Sequence, residues 1–288
     1  LIACSQSRQG ADSQTASDCL EEAKVALAND SIRLGETLLR KTIRLAEQSE
    51  DWHTYYIAYQ RLAVALSQGS PEEALRLMKK ALTIYEQHPD DERNYVILLD
   101  YVGTYAAQVA FNTEGSYDEA INYIKKAYGI AEKNQMNDLM CQTLTSLANI
   151  AWAKDDYRKA VDYARQAEST LPPSGEDKGG HPDLKSGALQ VLARSYLSLN
   201  MLDSAETVYR QIEPGDNIHL AYIVQSNLAR IALQRMGATK VEDDIDEAFE
   251  QVESFYYKAL EQKDQYYQET LRQEMENQQL EYRSQIYA

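Results

Sequence analysis

Cysteine, histidine, and a few arginines beside an indole are the residues of this chain with chemistry to offer. Cys4, Cys19 and Cys141 form no C-x-x-C spacing, and His53, His88, His181 and His219 are scattered. A zinc site gathers three or four nitrogen or sulfur ligands, usually with short local spacings, so no metal is expected. Cys19 and Cys141 could pair in an oxidising compartment; the alternative is a pair of buried thiols acting as small hydrophobes. The chain has no glycine-rich phosphate loop, no G-x-S-x-G, no H-E-x-x-H, and no histidine in motif with a serine or cysteine nucleophile. Neither catalysis nor a cofactor is expected. The arginines are more informative. Asn149, Arg194 and Arg230 each follow an alanine directly, and Trp152 and Leu197 stand three residues after Asn149 and Arg194. On helices that spacing is about one turn, so an amide, two guanidiniums and an indole would share corresponding faces. Such groups suit a partner's C-terminal carboxylate or acidic side chains, held by charge-assisted hydrogen bonds. Acidic residues on neighbouring helices are the competing partners for the same arginines.

The elements that must carry these residues follow from the apolar spacing. Leu144, Leu147, Ala148 and Ala151 lie at i, i+3, i+4 and i+7, as do Leu189, Leu192, Ala193 and Tyr196. Each set is followed by a short polar turn, KDD or LNM, and then by a second amphipathic set. That second pattern, a small residue, then +4, then +3, recurs six times: Gly35, Leu39, Thr42; Ala74, Met78, Ala81; Ala120, Ile124, Ala127; Ala160, Ala164, Ala167; Ala205, Tyr209, Ile212; and Ala248, Val252, Phe255. Successive leading residues are 39 to 46 apart. A sustained period of that size means stacked helical hairpins, because one hairpin cannot bury its apolar face alone. Small side chains let paired helices approach closely, while Leu, Met, Ile and Tyr fill the grooves between hairpins. The 21 tyrosines against 3 phenylalanines are expected to pack their rings and leave their hydroxyls wet.

At these residues the chain resembles the tetratricopeptide repeat family. LTSLANIAWAKDDYRKAVDYARQAESTLPP (144–173) carries the small residue Ala148, the turn aromatic Tyr157, Ala160, Ala167 and the closing Pro172 of that motif. GSYDEAINYIKKAYGIAEK (115–133) and SPEEALRLMKKALTIYEQHP (70–89) resemble its second helix. The resemblance implies an all-α, right-handed α-solenoid of five to six helical hairpins with a long C-terminal helix. Its units fall near 18–50, 54–89, 94–133, 138–171, 184–213 and 218–260. The first unit departs from the motif at Gly35 and Thr42, and the sixth at RMGATKVEDD (235–244); solenoid ends are expected to be atypical. In this family the first helix of each hairpin lines the concave groove. The resemblance therefore makes Asn149, Trp152, Arg194, Leu197 and Arg230 groove residues for a protein or peptide partner. The set is similar to the carboxylate clamp of some repeat adaptors, without the lysine usual there.

Composition narrows the partners. With 29 basic and 45 acidic residues the formal charge is −16, so the long-range field repels nucleic-acid backbones. No apolar run exceeds about five residues, against the roughly twenty of a spanning helix. The P- and G-rich stretch PPSGEDKGGHPD reads as a mobile loop over 172–183, carrying His181. The acidic EDDIDE (242–247) lacks the glycine and spaced ligands of a calcium loop and suits the start of a helix. Residues 261–288 are polar and Gln/Glu-rich, a frayed helix or a stalk whose thin stripe of Leu271, Met275, Tyr282 and Ile286 could pair two copies.

The first residues, LIAC, resemble the lipobox of bacterial lipoproteins, in which the cysteine is acylated. Leu1, Ala3 and Cys4 match, Ser5 follows, and residues 1–17 then read as lipobox and flexible linker. The resemblance implies a lipid anchor at Cys4 on the periplasmic side of the bacterial envelope. Lipobox, repeats and polar helix together resemble the periplasmic part of bacterial repeat-containing membrane regulators. In those proteins a membrane span and a cytoplasmic helical or DNA-binding segment follow the repeats. The other expectation is a self-contained envelope lipoprotein that assists assembly of other envelope proteins.

Overall fold

The computed structural model describes residues 15–29, 31–67, 69–171, 182–213 and 218–236. The lipobox, the 172–181 stretch, the acidic cluster at 242–247, the Ala248 set and the C-terminal helix lie outside the described residues. Among the described residues all regular structure is α-helical, in the order α1 (Ala16–Ala28), α2 (Ile32–Gln48), α3 (Trp52–Leu66), α4 (Pro71–Gln87), α5 (Glu92–Asn112), α6 (Asp118–Lys133), α7 (Asn137–Ala153), α8 (Tyr157–Thr170), α9 (Pro182–Ser198), α10 (Leu202–Tyr209) and α11 (Ile218–Met236). The chain divides into two compact units, residues 1–139 and 140–288. In the first, each helix from α1 to α6 packs on the next, and α1 also meets α3; in the second, α8, α9, α10 and α11 pack in sequence. Both are stacks of helical hairpins.

The local sequence starts and stops these helices. Thr15 and Asp18 form a reciprocal capping box at α1, satisfying donors that a helix start leaves open. Asp51 and Asp156 cap α3 and α8 by accepting the N–H groups of Thr54 and Lys159. Pro71 opens α4, where its missing N–H costs nothing. Five stops share one geometry. Glu50, Glu114, Gln135, Asp155 and Asn200 have φ between 52° and 59°. The N–H of the next residue donates five positions back, as from Asp156 to the Ala151 carbonyl at 2.9 Å and from Met201 to that of Tyr196 at 2.9 Å. This is the Schellman arrangement, built here without glycine at the left-handed position.

The described small, +4, +3 sets are all buried, from Gly35, Leu39 and Thr42 to Ala205, Tyr209 and Ile212. Two glycines sit where helices touch. A Cβ on Gly103 would stand 2.9 Å from the Ala120 carbonyl oxygen and against the Ile124 side chain, and one on Gly35 would overlap Leu27. The departure at Gly35 thus lets α2 close onto α1. Cys19 and Cys141 are free thiols with no exposure, and each Sγ donates to a backbone carbonyl, Leu38 and Leu184 respectively.

Six tyrosines depart from the expectation of wet hydroxyls: Tyr55, Tyr56, Tyr85, Tyr105, Tyr196 and Tyr209 are buried, and several of their hydroxyls bond to protein groups. Tyr56 donates to Asp90 and Tyr85 to the Asp91 carbonyl. Burying a hydroxyl without a partner is costly, so the partners come with the burial.

Candidate functional site

Asn149 and Trp152 occupy the last turns of α7, Arg194 and Leu197 the last turns of α9, and Arg230 the second half of α11. All lie in the second unit. The alanines before Asn149 and Arg194, Ala148 and Ala193, are fully buried. Close approach at these two positions brings the residues that follow them together. The Arg194 guanidinium donates through Nη2 to the Asn149 Oδ1. It also lies over the Trp152 ring, with Cζ 4.3 Å from the ring centre, a cation–π contact that fixes its plane. The indole in turn donates through Nε1 to the Ser198 Oγ at 3.2 Å. An amide, a cation, an indole and a hydroxyl thus form one chain of contacts across two helices.

Arg194 is half-buried, and no acceptor among the described residues reaches its buried Nε. Burial pulls the guanidinium below its ordinary pKa, an effect that nearby Tyr209 offsets in part. Tyr209 is 1% exposed. Its phenol is pushed up to about 12 by burial, against the pull of Arg230 and Arg194. The two arginines therefore act on one hydroxyl. Arg230 itself is exposed. Among the described residues neither Arg194 nor Arg230 forms an ion pair; on α11 that role falls to Arg235, which bonds Asp203 and Glu206 of α10. Among the described residues, the carboxylates of α10 pair with Arg235 instead. Leu197 is only 6% exposed and belongs to the apolar core with Leu189, Tyr196 and Tyr209, so it supports the site from beneath and does not line it. Spacing alone did not reveal Ser198 or Tyr209. Ser198 lies one turn past Arg194, but its role depends on where the indole of another helix points.

Among the described residues no cluster of His, Cys, Asp and Glu could hold a metal, and no helix is long and apolar enough to cross a membrane. The site has cations, hydrogen-bond donors and an aromatic face. That set suits anions and flat or apolar groups, and among the described residues it contains no nucleophile paired with a base.

Models of the tetratricopeptide repeat match residues 58–88 and 109–134, which cover the end of α3 with α4 and the end of α5 with α6. Comparison with curated proteins finds none that matches. Among solved structures, the chain is similar to a signal-transduction ATPase with a tetratricopeptide repeat sensor from Pyrococcus horikoshii, at 17% identity and a TM-score of 0.59, over 85% of this chain and 37% of that one. The chain thus spans little more than a third of that protein. It is also similar to NprR in complex with its cognate peptide NprX (16% identity, TM-score 0.54, 87% of this chain and 67% of that one). A third likeness is to a Rap protein complexed with Competence and Sporulation Factor (13% identity, TM-score 0.58, 94% and 76%). These likenesses establish the fold, a stack of tetratricopeptide-type hairpins.

Proposed function

We propose that the chain is a non-enzymatic protein-interaction scaffold of the bacterial envelope. In this reading it is the periplasmic sensor or adaptor region of a repeat-containing regulatory protein, and it takes a carboxylate-bearing peptide at Asn149, Trp152, Arg194 and Arg230. One observation carries the binding site. Arg194 is oriented by the Asn149 amide and the Trp152 ring, yet has no carboxylate partner among the described residues. A guanidinium already fixed in plane loses little further freedom when a carboxylate meets it, which favours binding. Peptide complexes of similar folds, such as NprR with NprX, support a peptide over a globular surface. The envelope address rests on Leu1, Ala3, Cys4 and Ser5 and on their resemblance to a lipobox.

Two experiments test the two halves. Binding of a library of peptides with acidic C-termini is measured for the native chain and for Arg194→Glu with Arg230→Glu. Affinity for selected peptides is expected to fall at least about tenfold, the scale of a lost charge-assisted pair; unchanged affinity removes the site. For the address, cells expressing the natural precursor are fed radiolabelled palmitate. Label on the native chain and none on Cys4→Ser is expected, and an unlabelled native chain removes the anchor.

A further inference from the structure

A second cation-rich surface lies in the first unit and shares no residue with the Arg194 site. A cleft of about 580 Å³ is walled by α2 and α4 and floored by α3, within the size range of small-ligand sites. Arg40 and Arg44 stand one turn apart on α2, and Arg76 and Lys80 one turn apart on α4; both pairs line the cleft. Between them the half-buried Ile43 and the ring of Tyr59 supply apolar surface, while Leu62 and Leu77 are buried at 1% and 3% exposure. Two of the four cations are held in place by their own helices. Arg40 bonds Glu36 through Nε and Nη2 at 3.0 and 2.8 Å, and Arg76 bonds Glu73 at 2.8 and 2.6 Å. The Glu73 carboxyl is drawn below its ordinary value by that bond and, further, by the charge of Arg40, so the two walls are within electrostatic reach. Arg44 and Lys80 have no carboxylate partner among the described residues, and both are exposed.

Four cations thus meet two carboxylates in a chain whose formal charge is −16. We infer that the cleft between α2 and α4 is a docking site for a short acidic segment of a partner protein, its carboxylates on Arg44 and Lys80 and an apolar side chain on Ile43 and Tyr59. The apolar floor favours a peptide over a bare anion, which would gain nothing from it. The chain's overall negative field disfavours a long polyanion or an anionic bilayer, which meets the whole surface and not one cleft. This inference does not rest on the Arg194 site.

The test uses the full chain carrying Arg194→Glu and Arg230→Glu, so that binding in the second unit cannot supply the signal. The probe is a fluorescent peptide alternating Glu or Asp with Leu, compared with its Gln/Asn version, its Ser-for-Leu version, inorganic phosphate, and vesicles of anionic phospholipid. The acidic Leu-containing peptide is expected to bind best. Adding Arg44→Gln and Lys80→Gln, exposed substitutions that leave the fold intact by circular dichroism, is expected to weaken it at least about tenfold. Loss of affinity in the Ser version supports the apolar floor. Binding unchanged by the two substitutions, phosphate competing as well as peptide, or vesicles binding more tightly each overturns the assignment. So does a variant with residues 242–247 neutralised that binds the peptide tenfold better, because the chain's own acidic segment would then be the occupant.

Discussion

The phenol of Tyr56 is fully buried and sits in a cluster that joins α3 to the start of α5. Its hydroxyl donates to Asp90 at 2.6 Å and accepts from the Asn94 amide at 2.9 Å, while His53 Nδ1 lies 2.5 Å from the same Asp90 oxygen. Burial alone pushes the Asp90 carboxyl up. Hydrogen bonds from His53, Tyr56, the Asp91 N–H and Asn94 outweigh it and hold the group at about 2, against an ordinary 3.8. A folded-state value below the unfolded one makes the charged form favour folding. That contribution is complete above pH 4 or so and is lost as the pH falls toward 2. Asp90→Asn is therefore expected to lower the urea midpoint at pH 7 and to flatten the stability curve between pH 4 and 2, measured by circular dichroism. An equally steep acid loss in the variant places the linkage on other carboxylates. The sequence indicated tyrosines on a helical array but not this cluster, because Asp90 and His53 are 37 positions apart and only the packing of α3 on the following turn unites them.

At the scale of helices and turns, the small, +4, +3 register needed only side-chain size and the 3.6-residue turn, and the described sets are buried as that pattern requires. Ala160 and Ala148, both fully buried, mark places where backbones approach. Leu at either is expected to overpack the junction and cost about 1–3 kcal/mol, read as a lower urea midpoint. The stops were less legible. KDD and LNM read as turns from polarity, yet nothing in Asp155 or Asn200 announces a left-handed backbone as glycine would. In the Schellman arrangement the ladder geometry imposes φ near 55° on whatever residue stands there. A non-glycine residue pays about 1 kcal/mol or more for that conformation. Gln135→Gly and Glu114→Gly at these exposed turns are thus each expected to stabilise by about 0.5–1 kcal/mol, the entropy of a freer unfolded chain offsetting part of the relief. A lower midpoint in both would mean that side-chain contacts of Gln135 and Glu114 outweigh backbone strain.

For the whole molecule, composition and site draw on the same charges in opposite senses. Asn149, Trp152 and Arg194 were visible in the sequence because corresponding positions on successive hairpins face alike. The cation-rich cleft of the first unit was not, since its charges are common residue types on polar helix faces. Glu36–Arg40 and Glu73–Arg76 stand at ordinary helical pair spacings, but that Arg44 and Lys80 face one cleft depends on how α2 and α4 rotate against α3. The surplus of acid gives a salt test that separates folding from binding. Self-repulsion in a chain of formal charge −16 opposes compaction, and raising ionic strength shortens its range from tens of ångströms to about 8 Å near physiological salt. The urea midpoint is therefore expected to rise between roughly 20 and 300 mM sodium chloride. Association of an acidic peptide with Arg194 or with Arg44 and Lys80 runs the other way, because the same ions screen the attraction between unlike charges. Affinity falling while stability rises, over one salt series on one preparation, assigns the binding to these cations. Affinity that climbs in step with stability would instead mean that relief of the chain's long-range repulsion, or apolar contact, outweighs the pull of these cations.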